Sequence, residues 1–192
     1  MYMREEPNQG AAPKEQRTET GNAEAQLPAR PAAESAPSML AAGLPRVGRL
    51  EDSSFNWVVG RKVAIGNYIA AQDPVLLREE GIKSIFCLTD QLVRFRPAEL
   101  GVEKIVLRPL LDGMGNNPKA FALSIDELVK LVREHSPVLV HCHAGRSRSI
   151  VAVAAYLMKT EGYSPDVALK LVKKQRSAVL QPGLKDLLKN LR

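Results

Sequence analysis

Cysteine is scarce in this chain. Only Cys87 and Cys142 occur in 192 residues, too few and too far apart for a disulfide framework. No paired-cysteine spacing offers a structural zinc site either, so a reducing, cytoplasmic setting is the expectation. Long apolar runs are also missing: nothing approaches the ~18 residues of a membrane span. The start of the chain carries Arg4, Glu5 and Glu6 with no apolar stretch behind them, so no secretory signal is expected. No internal repeat and no second domain can be found. With 45% apolar and 25% charged residues, collagen-like, coiled-coil and wholly disordered classes are excluded, leaving one globular domain with a tail.

Charge and proline divide the chain near residue 54. Residues 1–54 hold six of the thirteen prolines, 6 Lys and Arg against 8 Asp and Glu, and Tyr2 as their sole aromatic residue. Such a segment cannot bury enough apolar area to offset its ordering entropy. It reads as a disordered tail, apart from a short helix near 39–44. Residues 55–192 hold 21 basic against 13 acidic residues, and this basic body favours anionic partners: phosphorylated substrates, nucleic acid or an acidic membrane.

From Phe55 the pattern alternates. Strands are expected at Trp57–Val59 and Lys62–Ile65, joined at Gly60. A helix follows, with Asp73 as N-cap, Pro74 at its first position and Gly81 at its end. Ile82–Leu88 reads as a strand. After a loop holding Arg94, Arg96 and Pro97, another strand is expected at Glu103–Leu107. The stripe Phe121, Ile125, Leu128, Val129 and Val132 predicts a helix over 118–135. The wholly apolar run 137–141 predicts a buried central strand, and Ile150–Met158, apolar nearly all round, a buried helix. A helix starting at Ser164–Asp166 should turn Val167, Ala168, Leu171 and Val172 inward and Lys170, Lys173, Lys174 and Arg176 outward. Pro182 interrupts, and a last helix fills 183–191. This predicts an α/β domain with a central, mostly parallel mixed sheet flanked by helices on both faces.

The chemistry concentrates in Val138–Ile150, VLVHCHAGRSRSI. A strand, a tight glycine-containing loop and a buried helix aim several backbone N–H groups and a helix N-terminus at one point, which makes an anion cradle. Cys142 opens the loop and Arg148 closes it, so sulfur can lie beneath an oxyanion with a guanidinium fork at its side. The same field of amides, helix end and arginines favours thiolate over thiol. The result is a nucleophile pointed at a bound phosphorus.

The segment His141-Cys142-His143-Ala144-Gly145-Arg146-Ser147-Arg148-Ser149 resembles the His-Cys-x5-Arg-Ser/Thr signature of the cysteine-dependent protein tyrosine phosphatase superfamily, and its Ala-Gly-x-Ser-Arg-Ser ending resembles the dual-specificity branch. The likeness extends in outline over 57–191. It implies Cys142 as nucleophile and a phosphate loop of His143, Ala144, Gly145, Arg146, Ser147 and Arg148. It further implies a Ser149 hydroxyl that eases departure of the sulfur, and a supporting His141 behind the loop. The family requires an aspartic acid on a loop about 30 residues upstream. Asp112 fills that place between a strand and two glycines, where a mobile carboxylic acid can reach a leaving oxygen; Asp90, also after a strand, is the rival. Residue 181 is Gln where the family more often has Pro-Asn, and it is a candidate for placing the attacking water.

Other readings bear on these residues. His141 and His143 flank Cys142, but alternate residues of an extended strand face opposite ways, and His135 is the only other histidine; no metal and no cofactor are expected. Cys87 reads as a buried filler, with a redox partnership to Cys142 as the alternative. The lysine face of 170–176 reads as a solvated helix side. The expected function is hydrolysis of phosphate monoesters through a cysteinyl-phosphate, on phosphotyrosine and phosphoserine or phosphothreonine proteins, by a monomer that forms no stable nucleic-acid complex. The alternatives are a non-protein phosphomonoester (phosphoinositide, inositol phosphate, phosphoglycan or RNA 5′ phosphate) and a non-catalytic phosphate-binding module.

Overall fold

The computed structural model describes residues 54–90 and 94–191. The expected tail, except Ser54, and its short helix lie outside the described residues. Five strands form one sheet: β1 Phe55–Val59, β2 Val63–Gly66, β3 Ser84–Cys87, β4 Lys104–Leu107 and β5 Val138–His141. Their order is β1-β2-β5-β3-β4. The β1/β2 hairpin is antiparallel, and the other three pairings are parallel, as the alternation of elements predicts.

Among the described residues there are six α-helices, five of which follow the expected punctuation. Asp73 caps α1 (Pro74–Glu79) by accepting from the N–H groups of Val75 and Leu76, and Asn117 caps α3 (Pro118–His135) in the same way. The helix α2 (Pro97–Leu100) replaces part of an expected loop. Pro97 supplies its preset φ, Glu99 accepts from the Arg96 N–H at 2.9 Å, and Gly101 ends it at φ 68°. The remaining helices are α4 (Arg148–Glu161), α5 (Pro165–Gln175) and α6 (Leu184–Lys189).

Alternate strand residues feed two cores, because side chains alternate across a pleated strand. Val63, Ile65, Phe86, Leu88, Val138 and Val140 pack against α3, α4, α5 and α6. On the opposite face, Ala64, Ile85, Cys87 and Leu139 pack with Leu77 of α1 and Leu100 of α2. Phe86 and Phe121 are fully buried, each worth about 1.5–3 kcal/mol by transfer alone.

Helix α5 differs from the expectation. Val167 is 45% exposed and Leu171 only half-buried, while Ala168, Leu169 and Val172 are buried. Arg176, expected outward with the lysines, is 7% exposed. Residues 169, 172 and 176 follow i, i+3, i+7 spacing, so they share the inward stripe. Lys170, Lys173 and Lys174 remain exposed.

Three strands end at one level. Gly66 of β2 and Cys87 of β3 both stand opposite His141 of β5. The chain therefore leaves the central strand into a crevice at the carboxyl ends of its neighbours, which is where open α/β sheets hold their ligands. Among the described residues no helix is long and apolar enough to cross a membrane.

Candidate active site

The loop 142–147 joins β5 to α4, and its shape is set by close crossings. Gly145 takes φ 67°. A Cβ there would run into the Gly66 carbonyl and stand 2.6 Å from Arg176 Nη2, so only glycine fits both the backbone angle and the space. Ser147 precedes the helix without capping it by its side chain. Its hydroxyl instead accepts from the Gln181 N–H at 3.1 Å, which leaves the first N–H groups of α4 directed at the loop centre.

Cys142 is buried, with Sγ 3.4 Å from the Ser149 hydroxyl. Burial pushes the thiol pKa up. The Ser149 hydroxyl and amide, the Arg148 charge and the Gly145 amide outweigh that effect and hold it below the ordinary thiol value. His141 lies fully buried beneath the loop, Nδ1 3.3 Å from the Cys142 carbonyl. Burial first, and the Arg148 charge as well, lower its pKa from 6.5 to about 4 against the opposing pull of that carbonyl. The imidazole is therefore neutral at physiological pH.

Arg148 crosses the crevice from the first turn of α4. Nη1 reaches the carbonyls of Leu110 at 3.3 Å and Leu88 at 3.5 Å, and Nη2 reaches Asp112 Oδ2 at 3.5 Å. Its Nε is buried with no hydrogen-bond partner among the described residues, a donor that suits an oxyanion. Asp112 is half-exposed on the loop after β4, and the Asn116 side chain pins that loop by bonding Leu111 N–H, Leu111 O and Gly113 O. Asp90 lines a cleft of about 360 Å³ with Thr89, Leu110, Asn116 and Arg148. The ion pair with Arg148 distinguishes Asp112 from Asp90.

The other predicted loop residues separate by exposure. His143 and Ala144 are exposed, Arg146 is half-buried and Ser147 buried. The His143 ring stacks on Tyr68, with centroids 5.3 Å apart and planes 4° from parallel. Arg146 Nη2 donates to Ser177 Oγ at 3.2 Å. Among the described residues no three of His, Cys, Asp and Glu converge as metal ligands.

Cys87 belongs to the opposite face of the sheet from the core that contains Cys142, and its thiol donates to the Thr89 carbonyl at 3.0 Å. Among the described residues neither cysteine is in a disulfide. This placement fits a packed filler.

Sequence reasoning missed Tyr68, Asn56 and Arg176. Helical spacing with Leu169 and Val172 was an available signal for Arg176. Asn56 lies on β1 and Tyr68 in the turn after β2, and nothing local in the sequence ties either to the loop.

The family profile described as "Dual specificity phosphatase, catalytic domain" matches residues 64–191. The chain belongs to that family. It is 33% identical over 129 residues to the human phosphatidylglycerophosphatase and protein-tyrosine phosphatase 1, a match covering 59% of this chain and 61% of the relative. It is 37% identical over 103 residues to human dual specificity protein phosphatase 12, covering 50% of this chain and 29% of that one. The chain thus spans less than two thirds of the length of these relatives. Among solved structures, a mouse putative dual specificity phosphatase complexed with zinc tungstate superposes with a TM-score of 0.63 at 29% identity, covering 72% of this chain and 86% of the mouse chain.

Proposed function

We propose that this protein is a phosphatase that hydrolyses phosphate monoesters through a cysteinyl-phosphate intermediate, on proteins bearing phosphotyrosine and phosphoserine or phosphothreonine. The observation that carries the reading is the run of contacts from the Ser149 hydroxyl to Cys142 Sγ on one side of the crevice and from Arg148 to Asp112 on the other. Nucleophile, anion clamp and acid then converge on one bound phosphoryl group.

In the first step the Cys142 thiolate attacks phosphorus. An S–P bond forms, the P–O bond to the leaving group breaks, and Asp112 in its acid form gives its proton to the departing oxygen. Free alcohol or phenol leaves. In the second step the Asp112 carboxylate takes a proton from water, the water oxygen attacks phosphorus, and the S–P bond breaks. The Ser149 hydroxyl donates to the returning thiolate, and inorganic phosphate departs. Arg148 and the amides of 143–148 hold the equatorial oxygens throughout, stabilising charge as it moves. His141, neutral and buried, supports the loop from the strand behind. The cycle uses no metal and no cofactor.

The family supports the chemistry, and the name of the human dual specificity relative supports a protein substrate. A second reading, a phosphorylated lipid or other non-protein phosphomonoester, is favoured by the basic excess of residues 55–192, with Arg146 at the loop itself, and by the name of the human phosphatidylglycerophosphatase relative. The absence of lysine from the loop weighs against it. We place the catalytic domain at 55–192, acting as a monomer in the cytoplasm, where a reducing medium keeps the Cys142 thiolate competent.

The deciding experiment replaces Cys142. Cys142→Ser should abolish turnover of an aryl phosphate while orthovanadate still binds, because the cradle survives the loss of sulfur. Turnover close to wild type would overturn the mechanism. The same variant, offered phosphopeptides, phosphoinositides and 5′-phosphorylated RNA, identifies the substrate class by which it retains.

A further inference from the structure

A trans peptide unit carries its carbonyl and its N–H on opposite sides. Whatever holds a loop carbonyl outward therefore aims the next residue's N–H inward. Four successive carbonyls of the loop after β5 are held in this way from outside. The Tyr68 N–H donates to His143 O at 3.0 Å, and the Val179 N–H donates to Arg146 O at 2.9 Å. The two carbonyls between them go to a single side chain: Arg176 donates through Nη2 to Ala144 O at 3.4 Å and through Nε to Gly145 O at 2.5 Å. The amides aimed inward by the two arginine contacts are those of Gly145 and Arg146.

Arg176 is itself fixed. It sits at the end of α5 on the buried stripe, and its Nη1 donates to Asn56 Oδ1 at 2.6 Å. Asn56 lies on β1, a strand outside the 64–191 region that the family profile matches. A buried guanidinium is costly unless its donors are taken up, and here carbonyl and amide oxygens from the loop and from β1 take them up. Substitution leaves the two backbone donors, Tyr68 and Val179, in place, so Arg176 is the point at which a mutation can loosen the loop.

We infer that Arg176, anchored by Asn56, is a positioning residue that aims the Gly145 and Arg146 amides into the phosphate loop, and so sets both its oxyanion affinity and the reactivity of Cys142. The inference takes its meaning from the phosphatase reading above. The Gly145 amide is among the groups that hold the Cys142 thiol pKa down, and its peptide partner is the Ala144 carbonyl that Arg176 grips. The other charged group facing the sulfur is Arg148 on α4, with Asp112 behind it; His141, from β5, is neutral.

The test compares wild type with Arg176→Met, Arg176→Lys and Asn56→Ala. Three quantities are read: the pH midpoint of Cys142 alkylation by iodoacetamide, followed by peptide mass; the affinity for orthovanadate; and kcat and KM for an aryl phosphate. Arg176→Met should weaken vanadate binding and lower kcat/KM by roughly ten- to a hundredfold, the scale on which groups supporting a site from behind act. It should also move the alkylation midpoint up by about one pH unit, a tenfold change in thiolate stability. Arg176→Lys keeps the charge but cannot span two carbonyls, so it should resemble the methionine variant. Asn56→Ala should shift all three readouts the same way by less.

A folded Arg176→Met with the wild-type midpoint and vanadate affinity overturns the inference. Complete rescue by Arg176→Lys also overturns it, since charge rather than amide aiming would then be the cause. If Arg176→Met does not fold, Asn56→Ala decides: a shift supports the relay and an unchanged profile removes it. A wild-type protein without turnover would sink the phosphatase reading alone, because alkylation and vanadate binding need no turnover and still decide the role of Arg176.

Discussion

Acidification should destabilise this protein through His141 before its carboxylates begin to titrate. The imidazole is fully buried with Nε2 unpartnered among the described residues, so a proton added there meets no acceptor and stands near the Arg148 charge. Its pKa is lowered from 6.5 to about 4. In the unfolded chain the same group binds a proton below about 6.5. Between these values the unfolded state holds more protons than the folded state, so stability rises with pH across the window and falls on acidification. The contribution is complete above pH 6.5 and is lost progressively toward pH 4. A depression of this size is worth roughly 3 kcal/mol, with a limiting slope of about 1.4 kcal/mol per pH unit for one proton.

Guanidinium unfolding at a series of pH values from 4 to 7.5 measures this slope, with the single tryptophan, Trp57, as reporter. His141→Asn is the control, since an amide can still donate to the Cys142 carbonyl but does not titrate. Its absolute stability will be lower, and its curve should be flatter over the window. Glu134, Asp166 and Asp186 also have lowered pKa values, through bonds to Arg133, Lys185 and Lys189. They are exposed, titrate below the histidine window and are common to both proteins, so the difference curve isolates His141. Parallel curves would refute the assignment of a buried neutral imidazole.

Three further outcomes are expected. Asp112→Ala should slow hydrolysis of substrates with poor leaving groups by about 10²–10⁴-fold and spare activated aryl phosphates; a uniform loss, with the leaving-group dependence in Asp90→Ala instead, would move the acid to Asp90. Arg148→Lys should cost about 10²–10³-fold in kcat, since a point charge cannot make the bidentate grip; steady-state kinetics matching wild type would show that the arginine does not face phosphate. Gly145→Ala should cost more in thermal unfolding than the about 1–2 kcal/mol of left-handed strain, because its Cβ meets Gly66 and Arg176, and vanadate binding should fall with it; retained stability and affinity would mean the loop tolerates displacement.

Much of this architecture was legible from residues 55–192 because its signals are local. Pro74, Pro118 and Pro165 each open a helix at its first position, Gly81 follows the end of one, and the stripe from Phe121 to Val132 predicts α3 to its observed bounds. The placement of Cys142 and Arg148 at the two ends of one loop was legible because their spacing lies within nine consecutive residues. Helix α2 was not, since four residues are too few for periodicity to register. Arg176 lies on the opposite side of α5 from the one the sequence predicts, because a basic residue at a helix end is ordinarily solvated and only the carbonyls beneath it reverse that preference.

By itself the sequence determined the alternation of strands and helices, the loop that brings Cys142 and Arg148 together, and a basic body that favours anionic partners. Only the tertiary structure decided which carboxylate meets Arg148, since Asp90 and Asp112 both follow strands and nothing local ranks their distance to residue 148. It alone decided that Cys87 and Cys142 belong to opposite faces of the sheet. And it alone joined Asn56, Arg176 and Gly145, residues 120 and 31 positions apart along the chain, because a buried hydrogen-bond donor takes its partners from whatever backbone packing brings within reach, without regard to sequence distance.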